Sequence, residues 1–418
     1  MRVLWISTTS GLYLSGNSGY NGIGWISSVQ SLIQKESGIE LALTFLTSNI
    51  KDKMQEKSGT YYYPIYHKPQ SVFGKLRTYY GGYKKIDDNA FVPQIQKVIS
   101  DFKPDIIHLF GMENPMATIL GKTAVPIVVH LQGLLAPYDV AFFPVGLNKR
   151  SFLWPFSKEE WLLRNGFVYA KNSIHVRGVR ECELFKKVDY VMGRTDWDYE
   201  VSQLLAPHSR YFHVDEVIRP CFYKKVGSWR LKDGDKLVVI STISQTIYKG
   251  LDLILKTASL LEKETDIDFE WRVVGVASNS NYVRFFEKNV GVKTSKVRYL
   301  GVLNAEQLCD SLLESDVYVH PSYIDNSPNS VCEAQLLGMP VIATGVGGVP
   351  SLVAHKVTGL LVPANAPFEL AYWLKYITKD RDMAENMGRK AATVAWKRHD
   401  RDVIVNQLLQ TYNTILNT

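Results

Sequence analysis

Short apolar runs alternate along this chain with longer stretches whose apolar residues recur every three to four positions. In the first half the runs are RVLWIS (2–7), LALTFL (41–46), DIIHLF (105–110), PIVVH (126–130) and VDYVMG (188–193). In the second half they are LVVIST (237–242), EWRVVGV (270–276), VRYLG (297–301), DVYVH (316–320), PVIAT (340–344) and GLLV (359–362). They are rich in Val and Ile and apolar on both faces, which suits parallel strands covered on both sides. Helical periodicity predicts helices over 22–36, 89–101 and 196–205, then over 249–263, 304–313 and 329–337. Such alternation implies parallel sheets with right-handed crossovers. The expected fold class is α/β, with two Rossmann-like doubly wound domains facing a cleft.

Residues 207–235 are polar and rich in turn formers, which places a domain boundary there. The expected division is a first domain over 1–210, a second over 211–393, and a final helix over 394–418. The tail carries Ile404, Leu408, Leu409, Tyr412 and Ile415 at helical spacing and would pack on either domain. Two segments that mix aromatic and basic residues, 61–85 and 147–180, do not fit a simple sheet. They read as surface insertions with snorkelling Lys and Arg stems, or as contacts with a membrane surface.

Composition narrows the picture. An apolar fraction of 46% excludes wholesale disorder, and 418 residues allow two or three domains. No apolar run reaches the length of a transmembrane helix, and the first run is too short for a signal peptide. Cys182, Cys221, Cys309 and Cys332 show no metal-ligand spacing and read as reduced thiols of a cytoplasmic protein. Of the net charge of +7, +6 falls in residues 1–210, which hold 24 Lys and Arg against 18 Asp and Glu. A basic surface attracts phosphorylated ligands, anionic lipid or nucleic acid, but no nucleic-acid motif is present.

The densest chemistry lies in VYVHPSYIDNSPNSVCEAQLLGMPVIATGVGGVP, residues 317–350. A strand ends at His320–Pro321, and a helix follows from about Pro328 to Leu337, with Gly338 as its stop and Ser327 as its expected N-cap. The amides of Asn329, Ser330 and Val331 would point out of the helix start, a ready anion site for a diphosphate. Seven residues separate Asp325, in the loop, from Glu333, one turn into the helix. Glu333 would accept hydrogen bonds from a ribose diol. The plain alternative is a capping box, since Ser330-Val-Cys-Glu333 matches one.

This spacing, followed by PVIATGVGGVP and VTGLLV, resembles the retaining glycosyltransferases of family 4, in their bacterial cell-surface polysaccharide branch. Their signature is Glu, seven residues, Glu, then a Gly-Gly-x-Pro loop. The resemblance spans nearly the full length and is strongest over 237–365. It implies a GT-B fold, a nucleotide-sugar donor held mostly by the C-terminal domain, and a last helix packed back on the N-terminal one. Residue by residue, it implies that Glu333 binds the nucleotide ribose and that Asp325, one methylene shorter than the family's Glu, contacts the donor sugar. It implies that Asn329, Ser330 and Val331 hold the diphosphate and that Lys249, in QTIYKG, neutralises it. Ser244 stands where the family often has Arg, and Ser351 where it usually has Glu.

In the N-terminal half, Gly22 and Gly24 of SGNSGYNGIGW are the points where the backbone would approach donor or acceptor. His130, ending PIVVH, is similar to the family's His near the donor sugar. Asp325, His130 and Lys249 are thus the catalytic candidates. Glu333, Asn329, Ser330, Val331, Gly22 and Gly24 join Lys249 as donor-binding ones. The resemblance implies retaining transfer of a hexose-type sugar to a hydroxyl of a glycan or lipid-linked oligosaccharide at the inner membrane face. No cofactor, no metal and no nucleic-acid partner is expected. The alternatives are a GT-B-fold nucleotide-sugar epimerase and an inactive transferase-like protein.

Overall fold

Side chains that are apolar on both faces force the short runs into sheet interiors, and that is where the computed structural model has them. It describes residues 1–13, 23–67, 90–147, 166–232 and 234–418. The chain divides into two compact units, one of residues 1–139, 169–217 and 399–418, the other of residues 140–168 and 218–398.

The first unit holds an eight-stranded sheet of order β3-β4-β2-β1-β5-β6-β7-β8. Its strands are β1 (Arg2–Ser7), β2 (Glu40–Thr47), β3 (Gln55–Lys57), β4 (Thr60–Tyr66), β5 (Ile106–Phe110), β6 (Ile127–His130), β7 (Tyr190–Gly193) and β8 (Arg210–His213). All pairings are parallel except β3 with β4. Strand order reverses at β1/β5, so the carboxyl ends of these strands form this sheet's natural ligand crevice. Trp5, Leu4, Ile107 and Leu109 are fully buried at its centre.

The second unit holds six parallel strands in the order β11-β10-β9-β12-β13-β14. They are β9 (Leu237–Thr242), β10 (Phe269–Val274), β11 (Val297–Gly301), β12 (Val317–His320), β13 (Val341–Thr344) and β14 (Leu360–Val362). Order reverses at β9/β12, and the segments leaving these two strands carry Lys249 and Asp325.

Four expectations need correction. The start of the 61–85 segment is strand β4, seated between β2 and β3, because its Tyr and Ile side chains suit a pleated, half-buried surface. The end of the 147–180 segment opens the helix Phe167–Phe185, in which Gly178 packs against the Ala136 backbone. The rest of both segments, and Gly22, lie outside the described residues. The units part at 139/140, 168/169, 217/218 and 398/399, the third beyond residue 210 because β8 still pairs with β7 there. The helix Arg401–Leu416 belongs with the first unit, where the Tyr412 hydroxyl accepts from Trp5 Nε1 at 3.1 Å. The fourth correction concerns a helix start: Asn329–Leu337 has Pro328 as its N-cap residue, and no side chain caps it. Among the described residues no helix is long and apolar enough to cross a membrane.

One backbone position sets how closely the β9 loop approaches β12. Gly250 has φ +78, and a Cβ there would lie 2.0 Å from the Pro321 carbonyl oxygen. Only glycine adopts that conformation cheaply and fits the gap. Gly250→Ala is expected to cost more than about 2 kcal/mol, from left-handed strain plus the clash. Urea unfolding checks this, and a loss under about 0.5 kcal/mol would contradict the close apposition.

Candidate active site

The site begins with the exit from β9. Ile247–Lys249 form a single 3-10 turn, and Gly250 in the left-handed conformation starts the helix Leu251–Glu264. Lys249 therefore lies at the end of that turn, rather than at the helix start that the periodicity suggests. Its Nζ sits 2.5 Å from Asp325 Oδ2. Asp325 is buried in the loop after β12. His320 Nε2 lies 3.1 Å from the same oxygen, within ion-pair distance but off the line of a hydrogen bond. The Ser322 hydroxyl donates to that oxygen at 3.3 Å, and the Asn326 amide donates to Oδ1 at 3.2 Å. Burial alone would push the Asp325 carboxyl upward. Lys249 and then His320 outweigh it and hold the group well below the usual carboxylate range.

The Gly-Gly-Val-Pro loop has a steric reason to be Gly-rich. A Cβ on Gly347, which has φ +53, would fall 1.9 Å from the Asp325 carbonyl oxygen, and that oxygen accepts from the Gly348 amide at 3.1 Å. The loop is thus clamped onto the backbone of the residue whose side chain faces Lys249.

The helix start contributes fewer donors than the sequence suggests. The Asn329 and Ser330 amides have no carbonyl within the helix to bond. The Val331 amide already donates to Pro328 O at 2.9 Å. Asn329 Oδ1 is buried without a partner.

Glu333 is not a cap. Its carboxylate is buried and takes a bidentate pair from Arg219, Nε to Oε1 at 2.7 Å and Nη2 to Oε2 at 2.8 Å. The two bonds hold the carboxylate in one orientation. Both carboxylates belong to one neighbourhood. Burial pushes the Tyr318 hydroxyl upward, and the charges of Asp325 and Glu333 both add to that rise.

The structure therefore brings Lys249, Asp325, Asn329, Ser330, Val331 and Glu333 to the carboxyl end of β9 and β12. Sequence reasoning missed the partners His320 and Arg219. His320 stands out only as a strand-end residue, and the Arg before Pro220 gives no sign of a carboxylate 114 residues away. Ser244, in the family's Arg position, bonds Thr246 through its hydroxyl at 2.8 Å. The guanidinium that this site does have comes from Arg219.

His130 and Gly24 belong to the first unit. Gly24 lies in the first turn of the helix Ile23–Ile33, and its carbonyl accepts from Ser28 Oγ at 2.7 Å. His130 ends β6, buried and stacked on His108 with ring centroids 5.3 Å apart. Burial, then the neighbouring His108 and Arg194, lower its pKa well below the ordinary value. His130 is a neutral imidazole at pH 7. Among the described residues no group of three or more His, Cys, Asp or Glu is placed to hold a metal ion.

Comparison with known proteins fits this geometry. Residues 228–394 match the family model of glycosyl transferases group 1. A D-inositol 3-phosphate glycosyltransferase of Paenarthrobacter aurescens is 30% identical over 190 residues, 44% of this chain. The match spans 46% of that relative, so the chain covers about half the length of this curated protein. Among solved structures, a sucrose-phosphate synthase from Thermosynechococcus elongatus superposes with a TM-score of 0.72 at 15% identity, over 100% of this chain and 99% of that one. The Anabaena protein HepE in complex with UDP-glucose gives 0.62 at 15% identity, over 99% of this chain and 100% of that one. The chain therefore has the GT-B fold, and the part of it that matches the group 1 glycosyl transferases, residues 228–394, holds Lys249, Asp325 and Glu333.

Proposed function

We propose that the chain is a retaining glycosyltransferase. It moves a hexose-type sugar from a nucleoside-diphosphate sugar to a hydroxyl of a glycan acceptor, lipid-linked, in cell-surface polysaccharide assembly. One observation carries the reading: a cation, two unbonded helix amides and two buried carboxylates converge on one end of one sheet. The cation and amides suit a diphosphate. Glu333, held flat by Arg219, suits a ribose cis-diol. Asp325, kept ionised, suits sugar hydroxyls. The UDP-glucose complex of HepE supports the donor class, and the named activity of the Paenarthrobacter relative supports transfer as the reaction.

In this proposal the bond between the anomeric carbon and the leaving phosphate oxygen breaks. The acceptor oxygen bonds that carbon from the same face, and its proton passes to the leaving diphosphate. Lys249 and the amides of Asn329 and Ser330 stabilise the charge that develops, which is the work a metal would otherwise do. Lys249 then has two anions in turn: Asp325 before the donor arrives, and the diphosphate afterwards. The lipid-linked acceptor rests on the basic excess of residues 1–210 and on the resemblance to polysaccharide enzymes.

The direct test is thermal unfolding against UDP-, GDP-, ADP- and dTDP-sugars, followed by transfer assays with glycan acceptors. Stabilisation by one base series, about 2.7 kcal/mol at 100 times Kd, is expected. Glu333→Ala should weaken donor binding about tenfold to a hundredfold by calorimetry, since it removes the diol contacts. Unchanged affinity in a folded variant would contradict the ribose assignment.

Acid titration tests the Lys249–Asp325 pair. The Asp325 pKa is lower folded than unfolded, so its contribution is fully present above the unfolded value, about 3.9, and is lost as pH falls through the folded value. Lys249→Met should cost about 3 kcal/mol at pH 7, with the deficit shrinking below about pH 4. A deficit that stays constant from pH 7 to pH 3 would overturn this.

A further inference from the structure

A chain of buried polar groups runs through the first unit from the last helix to the end of β6. Trp5 Nε1 donates to the Tyr412 hydroxyl at 3.1 Å. That hydroxyl lies 2.6 Å from His108 Nδ1. His108 Nε2 lies 3.2 Å from His130 Nδ1. The chain ends at His130 Nε2, which is buried and has no aligned hydrogen-bond partner. All four side chains are buried.

The direction of the protons along this chain can be worked out. An indole N–H only donates, so Tyr412 Oη accepts from Trp5. Burial lowers the pKa of His108 to about 3 and that of His130 well below its ordinary value, so each ring carries one proton. If the Tyr412 proton points to His108 Nδ1, His108 carries its proton on Nε2 and donates to His130 Nδ1. His130 must then carry its own proton on Nε2. In the opposite order Tyr412 accepts twice. Its hydroxyl proton is left in the interior with no acceptor, and His130 Nε2 is unpaired as well. The first order leaves one unsatisfied group and the second leaves two, and each buried orphan is costly.

We propose that Tyr412, acting through His108, is a positioning residue that fixes His130 as an Nε2–H donor at the carboxyl end of β6, where its partner is a hydroxyl or phosphate oxygen of bound substrate. This rests on the transferase reading for the substrate, while the tautomer follows from the hydrogen-bond chain and the neutrality of both rings. It gives the last helix a part in the chemistry as well as in packing. One nitrogen's proton is set by the bond that the other nitrogen makes, and here that control passes through two rings.

The experiment is long-range nitrogen–proton NMR of the full chain labelled with ¹⁵N-histidine, with His130 assigned by its loss in His130→Phe. Wild type is expected to show His108 and His130 both protonated at Nε2. Tyr412→Phe should turn His130 toward the Nδ1–H form and lower kcat about tenfold, with the acceptor KM unchanged. Tyr412→Phe removes a buried hydroxyl, so a second pair guards against misfolding. His108→Gln keeps an acceptor for Tyr412 and a donor for His130, and should retain the His130 tautomer and most activity. His108→Leu breaks the chain and should lose both. Nδ1–H at His130 in wild type would overturn the proposal, as would a His130 tautomer that ignores both Tyr412→Phe and His108→Leu. The NMR readout needs no turnover, so absence of transfer with every nucleotide sugar would refute the transferase reading and leave the tautomer order to be judged separately.

Discussion

A carboxylate taken out of water must find a cation or several donors, or it gives up its charge. Among the carboxylates that the second unit buries are Asp325 and Glu333, at the same end of its sheet. Much of the local structure between residues 219 and 350 follows from that demand. Lys249 must reach Asp325, so the β9 loop must come down on Pro321, and only Gly250 permits that approach. The loop at 345–350 must lie on the Asp325 backbone, and only a glycine at 347 leaves room. Arg219 must meet Glu333 in the plane of its carboxylate. Folding therefore meets the desolvation cost of both anions before any substrate arrives. That is what preorganisation means for a site proposed to stabilise a leaving diphosphate.

The scaffold was largely legible in the sequence because parallel strands covered on both faces leave a strong mark. RVLWIS, LVVIST and VYVH are continuous apolar runs that no surface element would carry. Strand β4 was harder, since TYYYPIY mixes buried Tyr62 and Tyr63 with an exposed Tyr66 and a proline and lacks a clean period. The helix Phe167–Phe185 was hidden by a run whose charged residues fall on several faces. These are the places where tertiary packing, rather than local pattern, selects the element.

The site was legible in part, for a different reason. Asp325, Asn329, Ser330 and Glu333 sit within nine consecutive residues, and their spacing around one helix start speaks for itself. Lys249 was reached only through the family resemblance. Arg219 and His320 were not assigned, because a long-range ion pair has no period and no fixed spacing. The same holds for Tyr412, whose apolar neighbours at helical spacing describe a packing helix and conceal the one hydroxyl that bonds His108. Helix-start chemistry was overstated by one donor: nothing in NSV shows that the Val331 amide would turn back to Pro328.

The central claim is that the helix start at Asn329, with Lys249 beside it, receives a diphosphate. Hydrogen exchange of the full chain with and without a saturating nucleoside diphosphate tests this most directly. The account predicts slowed exchange in peptides covering 322–337, at the Asn329 and Ser330 amides above all, together with the 345–350 loop. Protection confined to other segments, with the 322–337 peptides unchanged under saturating nucleotide, would contradict it.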